Sequence, residues 1–444
     1  MSGNLTSATV PGALPLLGHL PRLARDPAGF LAGLPAFGDL VEFRLGTHRV
    51  QVPCHPELLR QVYADDRTFD KGGPFYQRFR DILGNGLATC PHRDHRRQRR
   101  LLQPEFRADR LPGYAEVMTR EAEQLTRGWT DGATIDAFPA FYRYTLRVVA
   151  RSLLATEVPD ALVDRLQESF EHAFAGALRR VLLPPLPAGR RYHAAVAALG
   201  ATVCELVRDY RERGVDRGDL LSGLLAARDE DGSALTDAEV HDQVLTLLLA
   251  GTETSAAQLA WTCRLLLEHP EVAARLQAEI DGVLGGRAAT YRDVEHLPYT
   301  ANVLTESLRR YPPGWILLRT TTRTTELADR TLPPGSYVVL SPYVAHHNPR
   351  IFADPTRFDP DRWQPERAAA LPRWAFGGFS NGPRQCIGEG YARAETVIAL
   401  ATVLARWELA PAPGTRPAPV RLTTILRPRR LPLRTLRRPL PPTR

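Results

Sequence analysis

Phe379-Ser380-Asn381-Gly382-Pro383-Arg384-Gln385-Cys386-Ile387-Gly388 is the stretch on which the reading of this chain turns. Phe, Gly, Arg, Cys and Gly stand at fixed offsets, and a helical apolar period follows the cysteine to about Trp407. A thiolate there lies at a helix N-terminus, where free N–H groups and the dipole favour an anion. Gly382 and Gly388 would let a flat cofactor approach the backbone, and Arg384 could meet a carboxylate on it. Cys54, Cys90, Cys204 and Cys263 lack such surroundings and read as buried free thiols. No CxxC pair occurs. That argues for a reducing cytoplasm and against a disulfide framework or a Cys-rich zinc site.

The neighbouring segments supply context. Residues 348–379, including Phe358-Asp359-Pro360-Asp361-Arg362-Trp363, are rich in Pro, Asp and aromatics without a period, which predicts a long ordered loop. Glu306 and Arg309 form an E-x-x-R on a helix expected over 298–311, so they share one face. The spacing alone is common, since Glu57/Arg60 and Glu205/Arg208 repeat it. Thr236 and Glu239 make a capping box. An apolar period from there to Pro270 predicts one helix of more than 30 residues. Its centre, Ala250–Ser255, is poor helix chemistry and predicts a kink. Residues 39–53 alternate like two strands around Gly46-Thr47, and 319–340 suggest further short strands. No repeat or long linker occurs. One domain over 1–444 is expected, with an N-terminal surface arm at 1–35 and an Arg/Pro-rich segment at 416–444.

The net charge of +8 is local. Nine arginines and no acid follow Glu408, and without them 48 basic residues face 49 acidic ones. The body is near neutral, which weakens a nucleic-acid reading. The longest apolar runs fall far short of a membrane span, and the N-terminus has no signal-peptide pattern. His92–Arg100 is the sharpest basic cluster of the body, and its Cys90/His92/His95 spacing matches no common zinc site.

Taken in order, the Cys loop, the E-x-x-R helix, the F-x-P-x-R-W segment and the Ala250–Thr254 centre resemble the cytochrome P450 family over nearly the whole chain. The resemblance implies a mainly α fold with small β-sheets. Haem b would lie between the long kinked helix and the Cys-loop helix, in a dioxygen-dependent monooxygenase. It implies that Cys386 is the axial thiolate, and that Glu306, Arg309 and Arg362 form a buried structural triad holding the Cys loop. Phe379, Gly382 and Gly388 would surround the haem, with His95, Arg99, Arg319 and Arg384 on its propionates. Ala250 and Gly251 would leave room for dioxygen, and Glu253-Thr254 would be an acid–alcohol pair that relays protons. That pair disfavours a haem sensor without turnover. Electrons would come from a ferredoxin and its reductase, since no flavin or NAD motif is present. Part of the Arg/His helix would dock that ferredoxin, and the enzyme would be a cytoplasmic monomer.

The family's contact regions point to Phe75, Tyr76, Phe79, Ile82, Leu87, Phe174, Leu247, Trp315, Ile316 and Leu317 as pocket residues. Few charges lie there, which favours an apolar substrate. The runs 84–118 and 341–363 look like actinobacterial sesquiterpene-oxidising members of the family. That resemblance implies a sesquiterpene hydrocarbon such as pentalenene, with oxidation of a methyl group as far as an aldehyde. A macrolide or other polyketide is the competing substrate class and predicts polar groups in the pocket.

Overall fold

The computed structural model describes residues 5–154, 159–182, 189–213, 218–414 and 423–439. Of the C-terminal Arg/Pro-rich segment, residues 416–422 and 440–444 lie outside the described residues, as do 1–4 of the N-terminal arm. Helices dominate. Those that position the site are α1 (Gly73–Leu83), α2 (His92–Leu102), α3 (Ala137–Leu154), α4 (Asp160–Leu182), α5 (Asp237–Glu268), α6 (Pro298–Arg310) and α7 (Glu389–Arg406).

Helix α5 starts where the sequence sets it. The Thr236 hydroxyl accepts from the Glu239 N–H at 3.2 Å, and the Glu239 carboxylate accepts from the Thr236 N–H at 2.8 Å. Pro270 opens the next helix. The polar centre does not interrupt α5. Thr252 Oγ1 donates to Leu248 O at 2.5 Å and Thr254 Oγ1 to Ala250 O at 2.6 Å, so both hydroxyls are satisfied within the helix. Gly251 lets α3 approach closely, because a methyl group there would come within 2.7 Å of Val149 Cγ2.

The main sheet has six strands: β1 (Ser7–Thr9), β2 (Leu40–Leu45), β3 (His48–Pro53), β4 (Phe69–Asp70), β5 (Leu317–Thr321) and β6 (Tyr337–Leu340). Their order is β1-β2-β3-β6-β5-β4. The β2–β3 pair is the expected hairpin, with Leu45 opposite His48 across Gly46-Thr47. The N-terminal arm is more than surface. β1 runs parallel to β2, and Leu23, Leu31 and Leu34 are buried in the same core cluster as Val10 and Leu433. Segment 348–379 contains a 3-10 turn at Pro360–Trp363 and a short helix at Pro365–Ala369. The pocket candidates Phe75, Tyr76, Phe79 and Ile82 stand on α1. Among the described residues no helix is long and apolar enough to cross a membrane.

Candidate active site

The Cys loop is a closed turn. The Cys386 N–H donates to Phe379 O at 2.8 Å, Gln385 N–H to Gly382 O at 3.0 Å, and Ser380 N–H to Gly377 O at 2.9 Å. Gly382 lies at φ +68°, and a methyl group there would meet the Tyr63 carbonyl oxygen at 2.4 Å. Its smallness therefore serves the path of the turn, where the sequence suggested a cofactor's approach. Gly388 caps α7 and borders the cleft onto which Cys386 opens. That cleft has a volume of about 280 Å³. Leu247, Ala250, Gly251 and Thr254 of α5 border it, as do Phe379, Arg384 and Leu317. Cys386 is exposed on the cleft wall, yet its recessed, desolvated position pushes the thiol above its usual range, while the Gly388 N–H and the Arg99 guanidinium pull it back. A coordinated metal cation is what would deprotonate it outright.

Basic groups converge beside the turn. Arg384 donates to Asp66 Oδ2 at 2.8 Å, Asp70 Oδ1 at 3.1 Å and Cys90 O at 3.0 Å. Arg319 is buried and reaches Leu318 O at 2.8 Å and the Tyr76 hydroxyl at 3.4 Å. Arg99 Nη1 donates to Gln385 O at 2.5 Å. Burial, reinforced by Arg384, Lys71, Arg99 and His92, pushes the His95 imidazole down to about 3. Lys71 was not foreseen. Its ammonium donates to Ala88 O at 2.7 Å, and burial with Arg384 and Arg319 nearby holds it well below the usual lysine range. It is the only lysine in the chain. Cations this crowded, with Asp66 and Asp70 on Arg384, suit a ligand that brings carboxylates of its own. The residues present therefore fit a haem: a lone sulfur opening on a cleft, flanked by a cationic cluster.

The three triad residues meet. Arg309 Nε and Nη2 donate to the two Glu306 oxygens at 2.9 and 2.8 Å, and Arg362 Nε lies 3.5 Å from Glu306 Oε1. Trp363 Nε1 at 2.9 Å and the Asp359 N–H at 3.1 Å also donate to this carboxylate, so the F-x-P-x-R-W segment wraps it. Arg309 spends its remaining donors on the carbonyls of His346, Pro355 and Arg357. His346 carries the cluster to the Cys loop. Its Nδ1 donates to Arg309 O at 2.9 Å and its Nε2 accepts from the Gly377 N–H at 3.0 Å. Full burial keeps this imidazole neutral, far below its ordinary range, which suits one donating and one accepting nitrogen.

Glu253 departs from expectation. Thr254 borders the cleft, but Glu253 borders a second cavity of about 450 Å³ with Tyr142, Phe170, Glu171, Phe174 and Arg427. Its carboxylate is 3.5 Å from Arg427 Nε. Burial raises it to about 7, with Arg427 opposing and Glu171 adding. Immediately after Thr254, Ser255 borders the cleft beside Glu395, a fully buried carboxyl of α7 raised by burial to about 8.

Of the pocket candidates, Leu247 and Leu317 border the cleft and Phe174 the second cavity. Phe75 and Phe79 stack at 4.3 Å, and Phe79 meets Phe174 at 5.2 Å, between α1 and α4. Tyr76 bonds Arg319. Ile82 and Leu87 are core residues, and Ile316 packs on the core. Trp315 is fully buried, and its indole N–H is satisfied there by donating to Thr423 O at 3.0 Å. On α2, Arg97 and Arg100 are held by Asp229, Glu230 and Glu239, and Arg93 lies 3.6 Å from Asp94; Arg93, Arg96 and Arg100 are its exposed cations.

A family model described as cytochrome P450 matches residues 9–433. The chain is 47% identical over 434 residues to pentalenene oxygenase of Streptomyces avermitilis, covering 96% of this chain and 97% of the relative. It is 47% identical over 418 residues to cyclooctatin synthase of Streptomyces melanosporofaciens, covering 92% and 91%. Cyclooctat-9-en-7-ol 5-monooxygenase of the same organism is 44% identical over the same length and coverage. A crystal structure of the cytochrome P450DA heme domain superposes with a TM-score of 0.89 at 28% identity, covering 98% of both chains.

Proposed function

The chain belongs to the cytochrome P450 family, and from that premise we propose that this monooxygenase uses haem b to hydroxylate a cyclic terpene. One observation carries the reading. Cys386 and Thr254 border the same cleft from different elements, and its other walls are chiefly aliphatic, including Val149, Leu153, Leu247, Pro313 and Leu317. Arg384 is the only charged side chain among the described residues that border it. An apolar substrate matches such walls, because a polar one would leave its own groups unpaired. The names of the relatives, an oxygenase of pentalenene and two enzymes of the cyclooctatin series, support the same class.

Haem held by a thiolate supplies the dioxygen chemistry when bound. Cys386 would hold the iron, and Arg319, Arg384, His95, Arg99 and Lys71 would face the haem's two carboxylates. Thr254 would pass a proton through its hydroxyl, which donates to Ala250 O at rest. Glu253, raised to about 7, would exchange protons near neutral pH. It faces away from the cleft, so the transfer needs a side-chain rotation or an intervening water. Electrons would come from a cytoplasmic ferredoxin and its reductase, and repeated turnover would carry a methyl group to an aldehyde. The test is a panel of sesquiterpenes and macrolactones scored for the low-to-high spin shift of the haem, followed by product analysis. Sesquiterpenes are expected to shift the spin state. A response to macrolactones alone rejects the terpene reading, and Cys386→Ser retaining the cysteinate carbonyl band rejects the assignment of the thiolate.

A further inference from the structure

One arginine of the C-terminal run reaches the interior, and its seat is built from both sides. Trp261 Nε1 of α5 donates to Leu426 O at 3.0 Å, and the Leu426 N–H donates to Pro313 O at 2.9 Å. Trp315 Nε1 binds Thr423 O at 3.0 Å, and the Leu426 side chain is fully buried. These bonds fix the backbone from which Arg427 projects. Its guanidinium lies 4.5 Å over the Phe138 ring of α3. Nη2 meets Glu171 Oε1 of α4 at 3.1 Å, and Nε meets Glu253 Oε1 of α5 at 3.5 Å. The Glu171 side chain is 47% exposed and that of Glu253 only 15%. One cation is thus shared between an outer and an inner carboxylate. The titratable and charged groups around Glu253 are Arg427, Glu171 and Arg179 of α4, and Tyr142 of α3.

We propose that Arg427 is a positioning residue for proton delivery. It holds Glu253 turned into the second cavity, and Glu171 competes for the same guanidinium, so the seating of α4 sets the charge of Glu253. This rests on the reading of Glu253 as the proton donor to Thr254. Phe170 and Phe174 of α4 border the same cavity, so α4 and the inner carboxylate share one enclosure. The two partners act on Glu253 with opposite sign. Arg427 favours its carboxylate form, and Glu171 disfavours it.

The experiment is an infrared pH titration of the full-length haem-loaded protein. The wild-type minus Glu253→Gln difference isolates the Glu253 carboxyl band. Arg427→Gln is expected to raise its midpoint by about 1 pH unit. Glu171→Gln is expected to lower it, and Arg427→Lys to leave it near the wild-type value. Midpoints that stay put, or that move the same way in Arg427→Gln and Glu171→Gln, overturn the proposal. Glu171 is half-exposed, so its variant folds and decides the matter even if Arg427→Gln is unstable. Peroxide release against pH in Glu253→Gln separates the two readings. A profile unchanged from wild type overturns the donor role itself, whatever the infrared midpoints do.

Discussion

Replacing Glu306 by glutamine removes the carboxylate shared by two buried guanidinium groups. Glu306 and Arg309 are both 0% exposed, and the Arg362 side chain is 7% exposed. Four donors now point at the two carboxylate oxygens: Arg309 Nε and Nη2, Trp363 Nε1 and the Asp359 N–H. Glutamine keeps the volume and one acceptor oxygen, but it aims an NH₂ group at donors and leaves both arginines charged. Breaking a buried pair in this way costs about 3–5 kcal/mol, against a total of roughly 5–15 kcal/mol for a typical fold. Through His346 the damage reaches Gly377 and the Cys loop. We therefore expect a large fall in the melting temperature followed by circular dichroism, together with loss of the cysteinate-ligated carbonyl spectrum. The control is the same motif elsewhere. Glu57 and Arg60 bond at 3.0 Å with side chains 53% and 49% exposed, and Glu57→Gln is expected to leave the melting temperature unchanged. A Glu306→Gln protein that melts with the wild type and keeps its haem would refute the reasoning, because burial would then not be what separates the two pairs.

Thr254→Ala removes the hydroxyl bordering the cleft and should raise peroxide release at the expense of product; unchanged coupling rejects the relay. Lys71→Met should speed haem loss to apomyoglobin several-fold, and an unaltered rate would remove Lys71 from the cofactor's surroundings. Glu395 stays protonated in the fold to about pH 8, against 4.5 in the unfolded chain. The unfolded state therefore releases the proton first, and wild-type stability falls as pH rises through that window. Glu395→Gln should escape the fall, gaining on the order of 1 kcal/mol over wild type per pH unit. A difference that does not vary with pH would show that Glu395 is already ionised in the fold.

What was legible in the sequence was local. The capping box at Thr236, the hairpin at Gly46-Thr47 and the turn into α7 depend on residues a few positions apart, and the structure has all three. Glu253 and Thr254 are adjacent, yet about 100° apart around the helix, and the sequence does not say which cavity each direction meets. Trp315 reads as a pocket aromatic, but in the fold its indole N–H is spent on an acceptor 108 positions away. Arg427 looked like one member of a tail run, since Glu171 lies 256 residues upstream. Gly251 suggested a kink; its use is contact with Val149 on another helix, which no periodicity reveals.

Arg309 donates to three main-chain carbonyls, at His346, Pro355 and Arg357. A carbonyl oxygen belongs to every residue type, so this grip does not depend on which side chains the segment carries. Exposed positions such as Arg357 can be resurfaced for solubility or for attachment to a support while the path of the chain stays put. Changes that alter backbone geometry, such as inserting one residue between 346 and 355, would shift the Pro355 and Arg357 carbonyls relative to that of His346, so that one guanidinium no longer reaches all three. For an engineer the exposed positions of the segment are tolerant of spelling, whereas its buried ones, such as His346 and Phe352, and its length are not.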